Sequence, residues 1–137
     1  QIVNKHNAYR ADFDINDPLR QSDDLNSFAQ SRADKISETN VFAHDLSSPY
    51  GENLWCTTNQ VADVSQCVDS WMSERYSWDE EENNWYPALG HFSQCVWRNT
   101  KTIGMAKGTF TDKDGRLFLF VVCVYDPPGN MIGEKPY

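Results

Sequence analysis

Apolar side chains recur at helical spacing through the first half of the chain and at strand spacing near its end. Residues 1 to 12 place Ile2, Val3, His6, Ala8, Tyr9 and Arg10 in a helix-compatible arrangement. A second helix is predicted after Ser22, a capping residue followed by Asp23 and Asp24 where the helix dipole favours anions. Leu25, Phe28, Ala29, Arg32, Ala33 and Ile36 then form a mostly apolar stripe. From Thr39 to Asn59 the pattern is irregular. A third helix is expected from about Val61 to Trp78, with Val64, Val68, Trp71, Arg75 and Trp78 on one face, and 79–90 reads as a loop. Three strands are predicted after it: Phe92 to Trp97, Thr102 to Phe110, and Arg116 to Tyr125. Lys113-Asp114-Gly115 is hairpin chemistry between the last two. Leu117 to Val124 is almost continuously apolar, as in a strand covered on both faces. Helices first and a short sheet last predict an α+β fold with helices on both sheet faces.

The chain has 137 residues, 39% of them hydrophobic and 13% aromatic, which suits a single globular domain. A net charge of −8 argues against a nucleic-acid partner, because phosphate binding rests on clustered Lys and Arg. The acidic run Asp79-Glu80-Glu81-Glu82 disfavours an anionic membrane surface and reads as a solvated loop. No apolar run reaches the roughly 20 residues of a membrane span. A start at Gln1 reads as a processed or trimmed terminus. Four cysteines without a C-x-x-C pair look more like disulfides than a zinc ribbon, which favours export to an extracellular setting; free thiols in a reducing compartment are the alternative.

Gly90-His91 at the mouth of the expected Phe92 strand is where a sheet would present titratable chemistry to a cleft. His44 lies in a loop, Glu52 in Gly51-Glu52-Asn53-Leu54, and Glu74 at the edge of the third helix's apolar face. Two imidazoles and two carboxylates suit a divalent metal or general acid–base work. Spacing alone leaves open that each is a separate polar residue tying a loop to the core.

Gly90-His91-Phe92-Ser93-Gln94-Cys95-Val96-Trp97 resembles the G-H-F-T-Q-x-V-W signature of the CAP superfamily, the cysteine-rich secretory, antigen 5 and pathogenesis-related 1 proteins. His6-Asn7-Ala8-Tyr9-Arg10, Ala43-His44-Asp45, Gly51-Glu52-Asn53-Leu54, Trp71-Met72-Ser73-Glu74 and Val122 through Asn130 match further family motifs in order, so the resemblance covers 1–137 as one domain. It implies a three-layer α-β-α sandwich around a small, mainly antiparallel sheet. It also implies a cleft tetrad of His44, Glu52, Glu74 and His91, with zinc or another divalent cation on His44 and His91 and the carboxylates acting through water. Asn7 and Arg10 read as structural hydrogen-bonding residues.

Two departures qualify the resemblance. The family's sterol-linked loop carries three spaced aromatics, and here Glu80 stands between Trp78 and Trp85 at the middle position. Tyr76, Trp78, Trp85 and Tyr86 are the candidate lipid-loop residues that remain. A cysteine common in the strand after G-H-F is absent, and the favoured pairings are Cys56–Cys67 and Cys95–Cys123. The first would close a short ring worth roughly 3 kcal/mol.

The favoured reading is a secreted binding module, monomeric or weakly dimeric, that holds a sterol, another small lipid or a partner protein in defence or host interaction. One alternative is a metal-dependent hydrolase with Glu52 or Glu74 as base, although neither G-x-S-x-G nor H-E-x-x-H occurs. Another is a precursor releasing its C-terminal segment, 128–137, as a signalling peptide.

Overall fold

The computed structural model describes residues 1–84 and 86–137. Among them the order is α1 (Ile2–Asp12), β1 (Arg20–Gln21), α2 (Asp23–Thr39), β2 (Gly51–Thr57), α3 (Gln66–Met72), 3-10 turns at Ser73–Ser77 and Pro87–Leu89, α4 (Gly90–Cys95), β3 (Thr102–Thr111) and β4 (Leu117–Asp126). The sheet runs β1-β3-β4-β2, parallel between β1 and β3 and antiparallel elsewhere. The expected α+β sandwich is therefore present around a mixed sheet.

β4 shows why there are three layers. Val121, Cys123 and Tyr125 enter one core with α1, α3 and α4, while Phe120, Val122 and Val124 enter the other with α2. Successive side chains leave a strand on opposite faces, so an unbroken apolar run requires cover on both. The Ser22 hydroxyl accepts from the Leu25 amide at 3.3 Å to start α2, and Asn40 closes that helix in the left-handed region at φ 57°. The β3–β4 hairpin turns at Gly115, whose φ of 83° favours glycine.

Three expectations fail. Phe92–Trp97 is not a strand: α4 covers Gly90–Cys95, and residues 92–97 are buried without alternation. A short helix wedged between β2, α3 and the C-terminal segment buries consecutive residues from Phe92 onward and leaves only its start on the surface, so its sequence lacks a helical period. The stretch taken as irregular contains β2, and the third helix runs only from Gln66 to Met72 before tightening into the 3-10 turn that carries Glu74.

All four cysteines are free thiols, which corrects the proposed pairings. Cys56 packs with the α2 core and Cys67 with the core on the opposite sheet face, so the sheet separates them. Cys95 and Cys123 share one core, but the Asn53 amide, cross-strand from Cys123, donates to the Cys95 sulfur at 3.6 Å. Among the described residues no helix is long and apolar enough to cross a membrane.

The C-terminal segment lies against the body. The Arg98 amide donates to the Pro136 carbonyl at 2.7 Å, the Asn83 amide group to the Tyr137 carbonyl, and Tyr137 meets Phe13 edge-on at 5.1 Å. Residues 131–135, immediately before these ties, are exposed.

Candidate functional site: two histidine–carboxylate pairs on one cleft

β2 and α4 bring the site together. Glu52, on β2, has a nearly buried side chain. Its Oε2 accepts from Arg32 Nε at 2.8 Å, and its Oε1 from His44 Nδ1 at 3.0 Å and Arg32 Nη2 at 3.3 Å. Arg32 also donates to the Ala43 carbonyl at 2.7 Å, fixing the loop that carries His44. Burial pushes the Glu52 pKa up, but the hydrogen bonds from His44 and Arg32 and the guanidinium charge outweigh it, leaving the carboxyl below its ordinary value.

The second pair has the same design. Glu74 Oε2 accepts from His91 Nδ1 at 2.9 Å, and Oε1 from the Phe92 amide at 3.0 Å, one of the donors that the first turn of α4 leaves open. His91 lies parallel to the Trp71 ring, with centroids 6.3 Å apart and planes at 6°, and Trp71 Nε1 is fixed on the Leu54 carbonyl at 3.0 Å.

His44, Glu52 and His91 line one cleft of about 240 Å³ with Asn53, Pro87, Gly90 and Asn130. Glu74 stands behind His91 as its support rather than on the cleft wall. A carboxylate accepts, so an imidazole in its neutral form paired this way donates through Nδ1 and keeps its lone pair on Nε2. Among the described residues neither Nε2 has a hydrogen-bond partner.

The floor is a buried polar cluster. The Asn53 amide donates to the His91 carbonyl at 3.1 Å and the Tyr125 hydroxyl at 3.3 Å, and that hydroxyl pairs with His6 Nε2 at 2.8 Å. Burial holds His6 neutral, its pKa lowered to about 4. It also pushes Cys95 and Cys123 well above the ordinary thiol value, so neither supplies a thiolate nucleophile. Arg10, fully buried, donates to the carbonyls of Cys95 (3.0 Å), Trp97 (2.9 Å) and Thr100 (3.3 Å), securing the end of α4. Asn7 exchanges two hydrogen bonds with the Leu19 backbone, so both residues have the structural role expected of them.

Gln94 locks α4 to the other walls. Its Oε1 accepts from the Gly129 amide at 2.9 Å, its Nε2 donates to Thr100 Oγ1 at 3.1 Å, and a Cβ on Gly51 would fall 2.1 Å from Oε1. Asn130 Nδ2 donates to the Gly90 carbonyl at 2.9 Å, and Ser93 Oγ donates to Asn130 Oδ1. Of the four expected tetrad residues the structure puts His44, Glu52 and His91 on the cleft and Glu74 behind His91; Arg32, Asn53, Gln94 and Asn130, which support them, are not singled out by the sequence. Arg32 carried a signal: a cation within an apolar helical stripe calls for a buried carboxylate.

Of the lipid-loop candidates, Trp78 is buried against Phe92 at 5.0 Å, Tyr76 is 81% exposed, and the Tyr86 hydroxyl donates to Glu82 at 2.7 Å. Trp85 lies outside the described residues. Of the three described, Trp78 is packed inward while Tyr76 and Tyr86 are exposed.

A sandwich whose short fourth helix and second strand hold two carboxylate-braced histidines is the architecture of the CAP domain. The model of the cysteine-rich secretory protein family, CAP, matches residues 3–125, and the chain belongs to that family. Pathogenesis-related protein 1 of Arabidopsis thaliana is 31% identical over 135 residues, covering 98% of this chain and 80% of that protein. Golgi-associated plant pathogenesis-related protein 1 of Homo sapiens is 30% identical, over 98% of this chain and 85% of its own. Among solved structures, BmVAL-1 superposes with a TM-score of 0.76 at 25% identity, over 99% of this chain and 79% of its own. NaASP2, determined with Zn2+, superposes with a TM-score of 0.80 at 19% identity, covering 99% and 82%.

Proposed function

We propose that this protein is an exported CAP-domain binding protein of defence or host interaction, its export supported by membership of the cysteine-rich secretory protein family and not by disulfides. Its His44–His91 cleft accepts zinc or another divalent cation, and it acts by holding a sterol, another small lipid or a partner protein rather than by catalysis. The observation that carries the metal reading is the matched pair of braced imidazoles: Nδ1 of each is held by a carboxylate, and each Nε2 lone pair is left over on one cleft. Metal-binding histidines commonly donate their other nitrogen to a carboxylate in this way. Among the described residues no three His, Cys, Asp or Glu side chains gather around one point, so the proposal rests on two direct ligands, with water or an anion completing the shell. A bound cation would supply Lewis acidity there; Glu52 and Glu74 orient the imidazoles, and Asn53 fixes the His91 backbone. The family, its pathogenesis-related relatives and the zinc-bound NaASP2 support the same reading.

Isothermal titration of zinc into the wild type, His44→Ala, His91→Ala and the double variant tests it. Because Trp71 lies beside His91, quenching of its fluorescence by copper(II) is a second readout. Each single variant is expected to weaken zinc at least about tenfold, within the range seen on losing metal-site partners. Zinc binding that survives in the double variant would remove the metal from this site.

A further inference from the structure

A second cavity, of about 230 Å³, is lined by α2 and the loop that follows it, and it shares only His44 with the histidine cleft. Arg32 supplies its buried charge. Nε and Nη2 of that side chain are taken by Glu52 and the Ala43 carbonyl. A guanidinium donates from all three of its nitrogens, so Nη1 remains. Among the described residues Nη1 has no partner, and it is not one of the unpaired nitrogens sealed from solvent. The open edge of a guanidinium whose side chain is only 9% exposed therefore faces the cavity. Lys35, nearly one turn further along α2, lines the same space and makes no ion pair among the described residues. Asp45 lines it from the loop. Its Oδ1 accepts from the Ser47 hydroxyl at 2.6 Å and the Ser47 amide at 3.0 Å, which leaves Oδ2 open. Those bonds, and then the charges of Arg32 and Lys35, hold the Asp45 carboxyl below its ordinary value, so the three charges share one space. Val41 and Leu46, 61% and 96% exposed, place uncovered aliphatic side chains beside them.

We propose that this cavity docks the carboxy terminus of a partner polypeptide that ends in an apolar residue. The terminal carboxylate lies on Arg32 Nη1 and Lys35, the last peptide N–H on Asp45 Oδ2, and the last side chain against Val41 and Leu46. A guanidinium is a strong donor to carboxylates, and this one is already held in place by Glu52, so little freedom is lost when it binds. The pattern of charges chooses among anions. A phosphopeptide or an acidic segment would bring several negative charges to a chain of net charge −8 and set them beside Asp45. A chain terminus brings a single charge with an N–H donor next to it, which two cations and one carboxylate complement. A free amino acid would leave Leu46 uncovered, whereas a chain leading out of the cavity passes over it. The site rests on the reading of this chain as a binding protein and deepens its partner-protein form; it needs no cation at His44.

Fluorescence anisotropy with a hexapeptide, Gly-Ser-Gly-Ser-Gly-Leu labelled at its amino end, tests the proposal, with a chelator present so that no metal contributes. The free acid is expected to bind, and its carboxy-terminal amide to bind at least about tenfold more weakly. Replacing the terminal leucine by aspartate should weaken binding by a similar factor. Lys35→Gln should weaken the acid about fivefold and leave the amide unchanged, and Leu46→Ser should weaken both about threefold. Both side chains are exposed, and an unchanged melting temperature reports that the fold is intact. An amide bound as tightly as the acid, a Lys35→Gln variant without effect, or no binding of the acid at roughly 1 mM overturns the proposal. Free leucine that competes as strongly as the peptide overturns the assignment to a polypeptide. Peptide failure with zinc binding retained removes this dock and leaves the histidine cleft standing; zinc failure with peptide binding retained does the reverse.

Discussion

Removing Arg32 should be far more costly than its place on a surface helix suggests. The Arg32 and Glu52 side chains are 9% and 5% exposed and meet through two hydrogen bonds of 2.8 and 3.3 Å. Arg32→Met keeps the packing of the aliphatic stem but leaves a carboxylate in the protein with only His44 and the Asp45 amide for company. Losing one partner of a buried pair costs about 3–5 kcal/mol, or roughly 10–20 °C in Tm for a domain of this size. The pH dependence should also change sign. In the wild type Glu52 lies below its ordinary pKa, so its contribution is present above about pH 4.3 and is lost as pH falls through the folded value. Without the guanidinium, burial dominates and the folded pKa rises, so the contribution is present in acid and lost as pH climbs through the raised value. Thermal melts between pH 4 and 7 on the wild type, Arg32→Met, Glu52→Gln and the double variant measure both effects. The double variant should regain part of what Arg32→Met loses, because no unpaired charge remains. A loss below about 1 kcal/mol, or a double variant no more stable than Arg32→Met, would refute the account.

Two further predictions concern the buried cluster. His6, with its pKa lowered to about 4, contributes stability that is complete above its unfolded value near 6.5 and declines as pH falls toward 4, by about 3 kcal/mol in all. Urea unfolding at pH 4.5 and 7 should show this slope in the wild type and not in His6→Asn; equal slopes would assign the acid sensitivity elsewhere. Thiol titration of the native protein should leave Cys67, Cys95 and Cys123 unreactive, with only partly buried Cys56 modified, and all four should react after denaturation under non-reducing conditions. Fast modification of two or more thiols in the native state would contradict this burial.

The two long terminal strands and the first two helices were legible because each serves one or two cores with a simple period. β4 gives alternate residues to two cores, and α2 shows its stripe to one. β2 was missed because Glu52 and Asn53 occupy it as site residues, replacing the apolar alternation by which strands are recognised. Gly90–Trp97 misleads in the other direction: Phe92 through Trp97 are buried at consecutive positions, which erases the helical period. Motifs single out His44, Glu52, Glu74 and His91, which the structure holds as two His–Glu pairs, whereas no motif marks their supports. Arg32, Gln94 and Asn130 act through partners 20, 35 and 40 residues away, a pairing no local pattern displays.

Those separations also bear on how the cleft can come into being. Its histidines and carboxylates all fall between positions 44 and 91, yet the ties that position them reach from His6 to Tyr125, from Gln94 to Gly129 and from Gly90 to Asn130. Contacts of such long range form late, once most of the chain has been ordered. A fragment containing all four side chains but lacking β4 and the segment after it would carry the ligands without the cleft. The metal affinity proposed for His44 and His91 would therefore gauge the completed fold, and a truncation at either end should register there even though it removes neither residue.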